Sequence, residues 1–265
     1  MTGAGIPVSP DWLALREPAD AAARSRELID ELPSPDGKWV IHDLACGTGS
    51  MGRWLAPLLP GSQRWVLHDR NVDLLRIADA DPPAAATEVE TRRTDITRLE
   101  PGDLAGAGLI TASALLDLMT AAELERLIEV CAAVRCPVLL TLSVDGRVEL
   151  EPSDPLDARL GAAFNAHQRR PVDAGRLLGP DAAEAAAAGF GRRGARVLVR
   201  PSPWRLGPGN AGLTAEWLRG WVAAAREQDP SLRAEAGTYL RRRLIEADAG
   251  PLSATVGHTD LLALP

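Results

Sequence analysis

The chain has 265 residues, 46% of them hydrophobic, and a formal net charge of −7. That length suits one α/β domain with an elaboration, and the acidic balance argues against nucleic acid as a partner, because phosphates need a basic face. No apolar stretch reaches the length of a membrane span, and the N-terminus MTGAGIPVSPDW lacks the basic and apolar regions of a signal peptide, so no membrane partner and a cytoplasmic location are expected.

Ser9-Pro10-Asp11 marks a helix start, and Asp20 reads as the cap of a second helix running to about Leu32. Next comes WVIHDLACGTGSMGRWLAPLL, Trp39 to Leu59: an apolar run ending near Asp43, a turn at Gly47-Thr48-Gly49-Ser50, and a helix carrying Leu55, Leu58 and Leu59. Glycines there let the backbone turn sharply and lay its N–H groups against a ligand. Gly47, Gly49 and Gly52 satisfy the dinucleotide fingerprint G-x-G-x-x-G. Asp43-Leu44-Ala45-Cys46-Gly47-Thr48-Gly49 also resembles the acidic-x-G-x-G-x-G loop of class I S-adenosylmethionine (SAM) dependent methyltransferases, with Ala45 in place of the first glycine. A carboxylate at Asp43 would repel a pyrophosphate, whereas it suits a ligand carrying a sulfonium and an ammonium. The resemblance implies SAM as cofactor, with Asp43, Ala45, Cys46, Gly47 and Gly49 around it.

Gln63 to Leu67 is a short strand ending in His68-Asp69. Asp69 lies about 20 residues past the glycines, where a carboxylate can accept both ribose hydroxyls of SAM or NAD alike, with Arg70 beside it. A helix spans Asn71 to Ala80, and a weak strand runs from Thr87 to Thr94. At Asp95-Ile96 the resemblance implies a carboxylate on the adenine amino group and an apolar residue against the ring. Leu109 to Leu116 reads as a central parallel strand; Ser113 on it joins the cofactor set, and Asp117 after it is a candidate to orient or deprotonate a methyl acceptor. Thr120-Ala121-Ala122-Glu123 is a capping box, Pro137 to Val144 the next strand, and Asp145-Gly146 a turn signal.

From Glu151 the alternation breaks. A short helix holds Asn165, His167 and Gln168, read respectively as substrate-binding, catalytic and substrate-binding candidates. Asp181 to Ala188 is an alanine-rich helix closed by Gly189, and Ala195 to Arg200 is a strand. Two amphipathic helices, Leu213 to Ala225 and Leu232 to Ala247, precede a final strand from Ser253 to Leu264. Trp217 and Trp221 form the packing face of the first of these helices, with a substrate wall or a homodimer interface as alternatives.

The expected fold is α/β: a doubly wound, mostly parallel seven-stranded sheet with an antiparallel C-terminal strand hairpin. It is a single domain of helical cover (1–36), cofactor core (37–150), lid (151–194) and terminal hairpin (195–265) with a helical insertion at 210–248. Arg16 and Arg24 on the cover can reach the SAM carboxylate. Cys46, Cys131 and Cys136 read as reduced thiols, and His42 and His68 as buried imidazoles with no metal. The expected activity is methyl transfer from SAM to a small-molecule acceptor; an NAD(P)-linked oxidoreductase and a non-catalytic SAM-fold protein are the rivals.

Overall fold

Residues 8–35 and 37–265 are described by the structure, a computed structural model. The reading of the extreme N-terminus as leaderless falls on residues 1–7, outside the described residues. The central sheet is built from β1 (Trp39–Leu44), β2 (Gln63–Asp69), β3 (Ala86–Arg93), β4 (Leu109–Ser113), β5 (Val138–Glu151), β8 (Arg196–Pro201) and β10 (Ser253–Leu264). Its order is β3-β2-β1-β4-β5-β10-β8, with β9 (Trp204–Leu206) also pairing with β10. β10 runs antiparallel to β5 and β8, while β3 through β5 are parallel. A two-residue pair, β6 (Pro171–Val172) and β7 (Gly175–Arg176), stands apart.

The parallel strands are apolar because both faces are covered. One face packs against α5 (Ala121–Val134) and α7 (Ala182–Arg192), around Leu127, Ile128, Leu140 and Phe190. The other packs against α3 (Ser50–Leu55) and α4 (Val72–Ala80), around Ile41, Leu55, Trp65 and Leu75. A third cluster joins α6 (Asp157–Gln168), α8 (Ala211–Gln228) and α9 (Arg233–Ala249) to the far ends of β5 and β10. Trp217 and Trp221 stack there, centroids 5.4 Å apart, as a packing face. Arg243 on α9 grips the Asp157 carboxylate with bonds of 3.0 and 2.9 Å, tying α9 to the start of α6.

Several local readings need correction. Asp20 caps no second helix: it lies within α1 (Pro10–Ala23), and only the short α2 (Glu27–Asp30) follows. Its carboxylate is taken by Arg16 and by the Trp204 indole N–H, a partner far along the chain. Pro57 ends the helix after the glycine turn at Leu55, and Ala56–Leu58 tighten into a 3-10 turn. β4 stops at Ser113 because Ala114 takes φ +52° and a 3-10 turn spans Leu116–Leu118.

Asp145-Gly146 is not a chain reversal. β5 continues through it for 14 residues, and Gly146 absorbs the irregularity at φ +80°. Gly189 is interior to α7, where a Cβ would lie 2.6 Å from Ile128 Cδ1, so it serves close packing against α5 and not helix termination. Among the described residues no helix is long and apolar enough to cross a membrane.

Candidate functional site

The turn after β1 takes left-handed conformations at Ala45 (φ +52°), Gly47 (+57°) and Gly49 (+87°). The α1 cover lies directly on it. A Cβ at Gly47 would meet Leu13 Cδ1 at 3.2 Å, and Arg53 of α3 holds Glu17 of α1 through bonds of 2.7 and 2.6 Å. Cys46 is buried in the apolar cluster under α3, its thiol donates to the Gly47 carbonyl at 3.6 Å, and burial pushes that thiol up.

Asp43, at the end of β1, is fully buried. Its Oδ1 accepts from Thr111 Oγ1 at 2.7 Å, its Oδ2 has no partner, and burial pushes the carboxyl up to about 7. Asp69, at the tip of β2, accepts from the Gly47 N–H at 3.0 Å and the Asn71 N–H at 2.8 Å. Each oxygen keeps a further lone pair for a hydroxyl donor.

Arg24, just past α1, is 3% exposed. Its Nη2 donates to Ser113 Oγ at 3.0 Å and reaches Ser50 Oγ at 3.4 Å, and the guanidinium lies over Trp54, 5.4 Å from the ring centroid. Nε and Nη1 are buried without partners, and burial lowers its basicity. Arg16 has a different fate: it is paired with Asp20 at 2.9 Å and stacked 5.0 Å above Trp204, so of the two cover arginines Arg24 alone presents unused donors at the turn.

The residues expected beside adenine are more open. Asp95 is exposed, and its Oδ1 accepts from the Thr97 N–H at 3.1 Å and hydroxyl at 2.7 Å, which hold it below the usual carboxylate range. Arg70 is exposed, and Ile96 packs partly against the α5 cluster.

Asp117 sits half-buried in the 3-10 turn beyond β4; burial raises its carboxyl above the usual range, and the charges of Arg16 and Arg170 oppose that rise. The lid candidates divide. Asn165 Nδ2 donates to the Gly146 carbonyl at 2.9 Å, and Gln168 lies against Gly179 with a buried, unpartnered Oε1. His167, on another face of α6, is 9% exposed with Nε2 3.4 Å from Glu227 of α8.

His42 Nδ1 and His68 Nε2 are hydrogen-bonded at 3.0 Å, and His68 Nδ1 meets Thr94 Oγ1 at 3.1 Å. Burial lowers both imidazoles to about 4, leaving a neutral pair. Among the described residues no group of three or more His, Cys, Asp or Glu is placed to hold a metal.

Sequence reasoning missed Asp260 of β10. It is fully buried and accepts from the Ser25 N–H, the Leu142 N–H and the Ser202 hydroxyl. A lone acid within the otherwise apolar end of the last strand was the available signal.

No protein-family model and no curated protein sequence matches the chain. Among solved structures it is similar to the mycolic acid cyclopropane synthase CmaA1 in complex with SAH and CTAB (TM-score 0.52, 13% identity, 96% of this chain and 94% of that one). It is also similar to the cyclopropane synthase MmaA2 from Mycobacterium tuberculosis (TM-score 0.51, 12% identity, 97% and 94%). At such identity the likeness speaks for the fold alone. Together with a glycine turn after β1 and a reversed β10 between β5 and β8, it establishes that the chain has the fold of the class I SAM-dependent methyltransferases.

Proposed function

We propose that this protein is a SAM-dependent methyltransferase acting on a small-molecule acceptor. One observation carries the reading: two buried ionisable groups of opposite sign flank the glycine turn, each with unmet hydrogen-bonding capacity, Arg24 at Nε and Nη1 and Asp43 at Oδ2. Leaving such groups unpartnered is costly. The amino-acid end of SAM offers a carboxylate to the first and an ammonium to the second. Asp69 has lone pairs to spare for ribose hydroxyls, and Asp95 with Ile96 and Arg70 borders the adenine side.

When bound, SAM supplies an electrophilic methyl carbon on a sulfonium. The chain's own task is to hold the acceptor in line and keep water out. Asp117, at the carboxyl edge of the sheet and raised by burial, is suited to take a proton from a hydroxyl or ammonium acceptor. Asn165 and Gln168 supply amides on the adjoining lid. His167 is assigned to the joint between α6 and α8, which leaves Asp117 as the proton acceptor.

The dinucleotide alternative fits less well. A pyrophosphate at this turn would approach buried Asp43, and the reversed β10 departs from the 3-2-1-4-5-6 order of dinucleotide-binding sheets. Calorimetry with S-adenosylhomocysteine (SAH) and NADH separates the two. Binding of SAH without NADH, followed by transfer of tritiated methyl from SAM into a metabolite pool, supports the reading; tight binding of NADH alone overturns it.

A further inference from the structure

The last strand carries an acid that the proposed reaction does not use. Opposite Asp260, β5 holds two residues, Thr141 and Leu142, against one, and the extra residue Leu142 takes φ +57°. Such a bulge leaves a backbone N–H without a ladder partner. Asp260 supplies one: its Oδ1 accepts from the Leu142 N–H at 2.8 Å and from Ser202 Oγ at 2.5 Å. Ser202 is itself fixed by its N–H on the His258 carbonyl at 2.8 Å.

The other oxygen points at the cover. Asp260 Oδ2 accepts from the Ser25 N–H at 2.8 Å, across 235 positions of sequence. That N–H belongs to the peptide joining Arg24 to Ser25, so the acid fixes the peptide plane from which the Arg24 side chain departs. The same bulge connects to the far end of that side chain, because Thr141 Oγ1 donates to Ser113 Oγ, which accepts from Arg24 Nη2.

We infer that Asp260 is a positioning residue that aims the Arg24 guanidinium at the carboxylate of the bound cofactor, acting through the Ser25 peptide. The inference rests on the methyltransferase reading. It separates Asp260 from an ordinary buried structural acid, because its effect on binding must be confined to ligands that carry the carboxylate.

The test compares SAH with decarboxylated SAM by calorimetry on the full chain, in wild type, Asp260→Asn, Arg24→Gln and the double variant. In Asp260→Asn, affinity for SAH falls about tenfold, the scale of one charge-assisted contact, while affinity for decarboxylated SAM stays within about twofold. The double variant binds SAH no more weakly than Arg24→Gln alone, since the acid works through the arginine. Equal losses for the two ligands, or losses that multiply in the double variant, overturn the inference. If Asp260→Asn does not fold, Ser25→Pro decides: it removes the N–H and leaves the acid in place, and the same ligand-selective loss is expected. A Ser25→Pro protein that binds SAH like wild type contradicts the inference. Wild type that binds neither ligand instead overturns the methyltransferase reading itself.

Discussion

The backbone N–H of Gly47 donates to Asp69 Oδ2 at 3.0 Å, joining the turn after the first strand to the tip of the second. The same carboxylate is the acceptor placed for ribose, so shaping the turn and holding the nucleoside depend on one side chain. Asp69→Ala is expected to weaken SAH binding by at least about tenfold, or ~1.4 kcal/mol. Calorimetry checks this, and an unchanged dissociation constant would remove Asp69 from the site.

Asp43 gives SAH binding a pH dependence. Burial raises it from 3.8 to about 7, so below that pH the unligated protein holds it protonated. An ammonium beside it favours the charged form, so binding expels a proton and affinity rises with pH up to about 7, then levels off. The unligated protein shows the matching effect on stability. Between the unfolded and folded values the folded chain holds a proton that the unfolded chain has lost, so Asp43's contribution declines as pH rises through 3.8 to about 7. Titrations in buffers of different ionisation enthalpy detect the released proton, and Asp43→Asn abolishes the dependence.

Ala45 occupies a left-handed conformation, φ +52°, that an L side chain adopts at a cost of about 1 kcal/mol or more. Ala45→Gly should raise the unfolding free energy by up to ~1 kcal/mol, and Ala45→Val should lower it. Thermal and urea unfolding report both.

Gly52 completes the G-x-G-x-x-G pattern for a packing reason. A Cβ there would lie 2.7 Å from Pro83 Cγ and 3.4 Å from the Trp65 ring. Gly52→Ala is expected to destabilise by about 1–3 kcal/mol through overpacking, with SAH affinity of the folded protein unchanged. A loss of affinity without loss of stability would instead place Gly52 at the ligand.

The sequence was most legible where one local rule governs a segment. β10 has the bounds its apolar pattern suggests, and Thr120 with Glu123 forms the expected capping box. It was least legible where a distant partner decides. Asp20 has the residue type of a helix cap, but Trp204, 184 positions away, claims its carboxylate. Asp145-Gly146 has the composition of a turn, yet pairing with β10 carries β5 straight through. In the site, the glycine turn and the acids at the strand tips followed from spacing. The separate fates of Arg16 and Arg24 did not, because only tertiary contacts pair the first and leave the second with unused donors.

A crystal structure of the protein grown with SAH tests the central claim most directly. The account predicts the nucleoside across Gly47 and Gly49 with its ribose at Asp69, its carboxylate within hydrogen-bond reach of Arg24 and its ammonium at Asp43. Ligand bound away from this turn, or an Arg24 that keeps its unused donors with SAH in place, would contradict it.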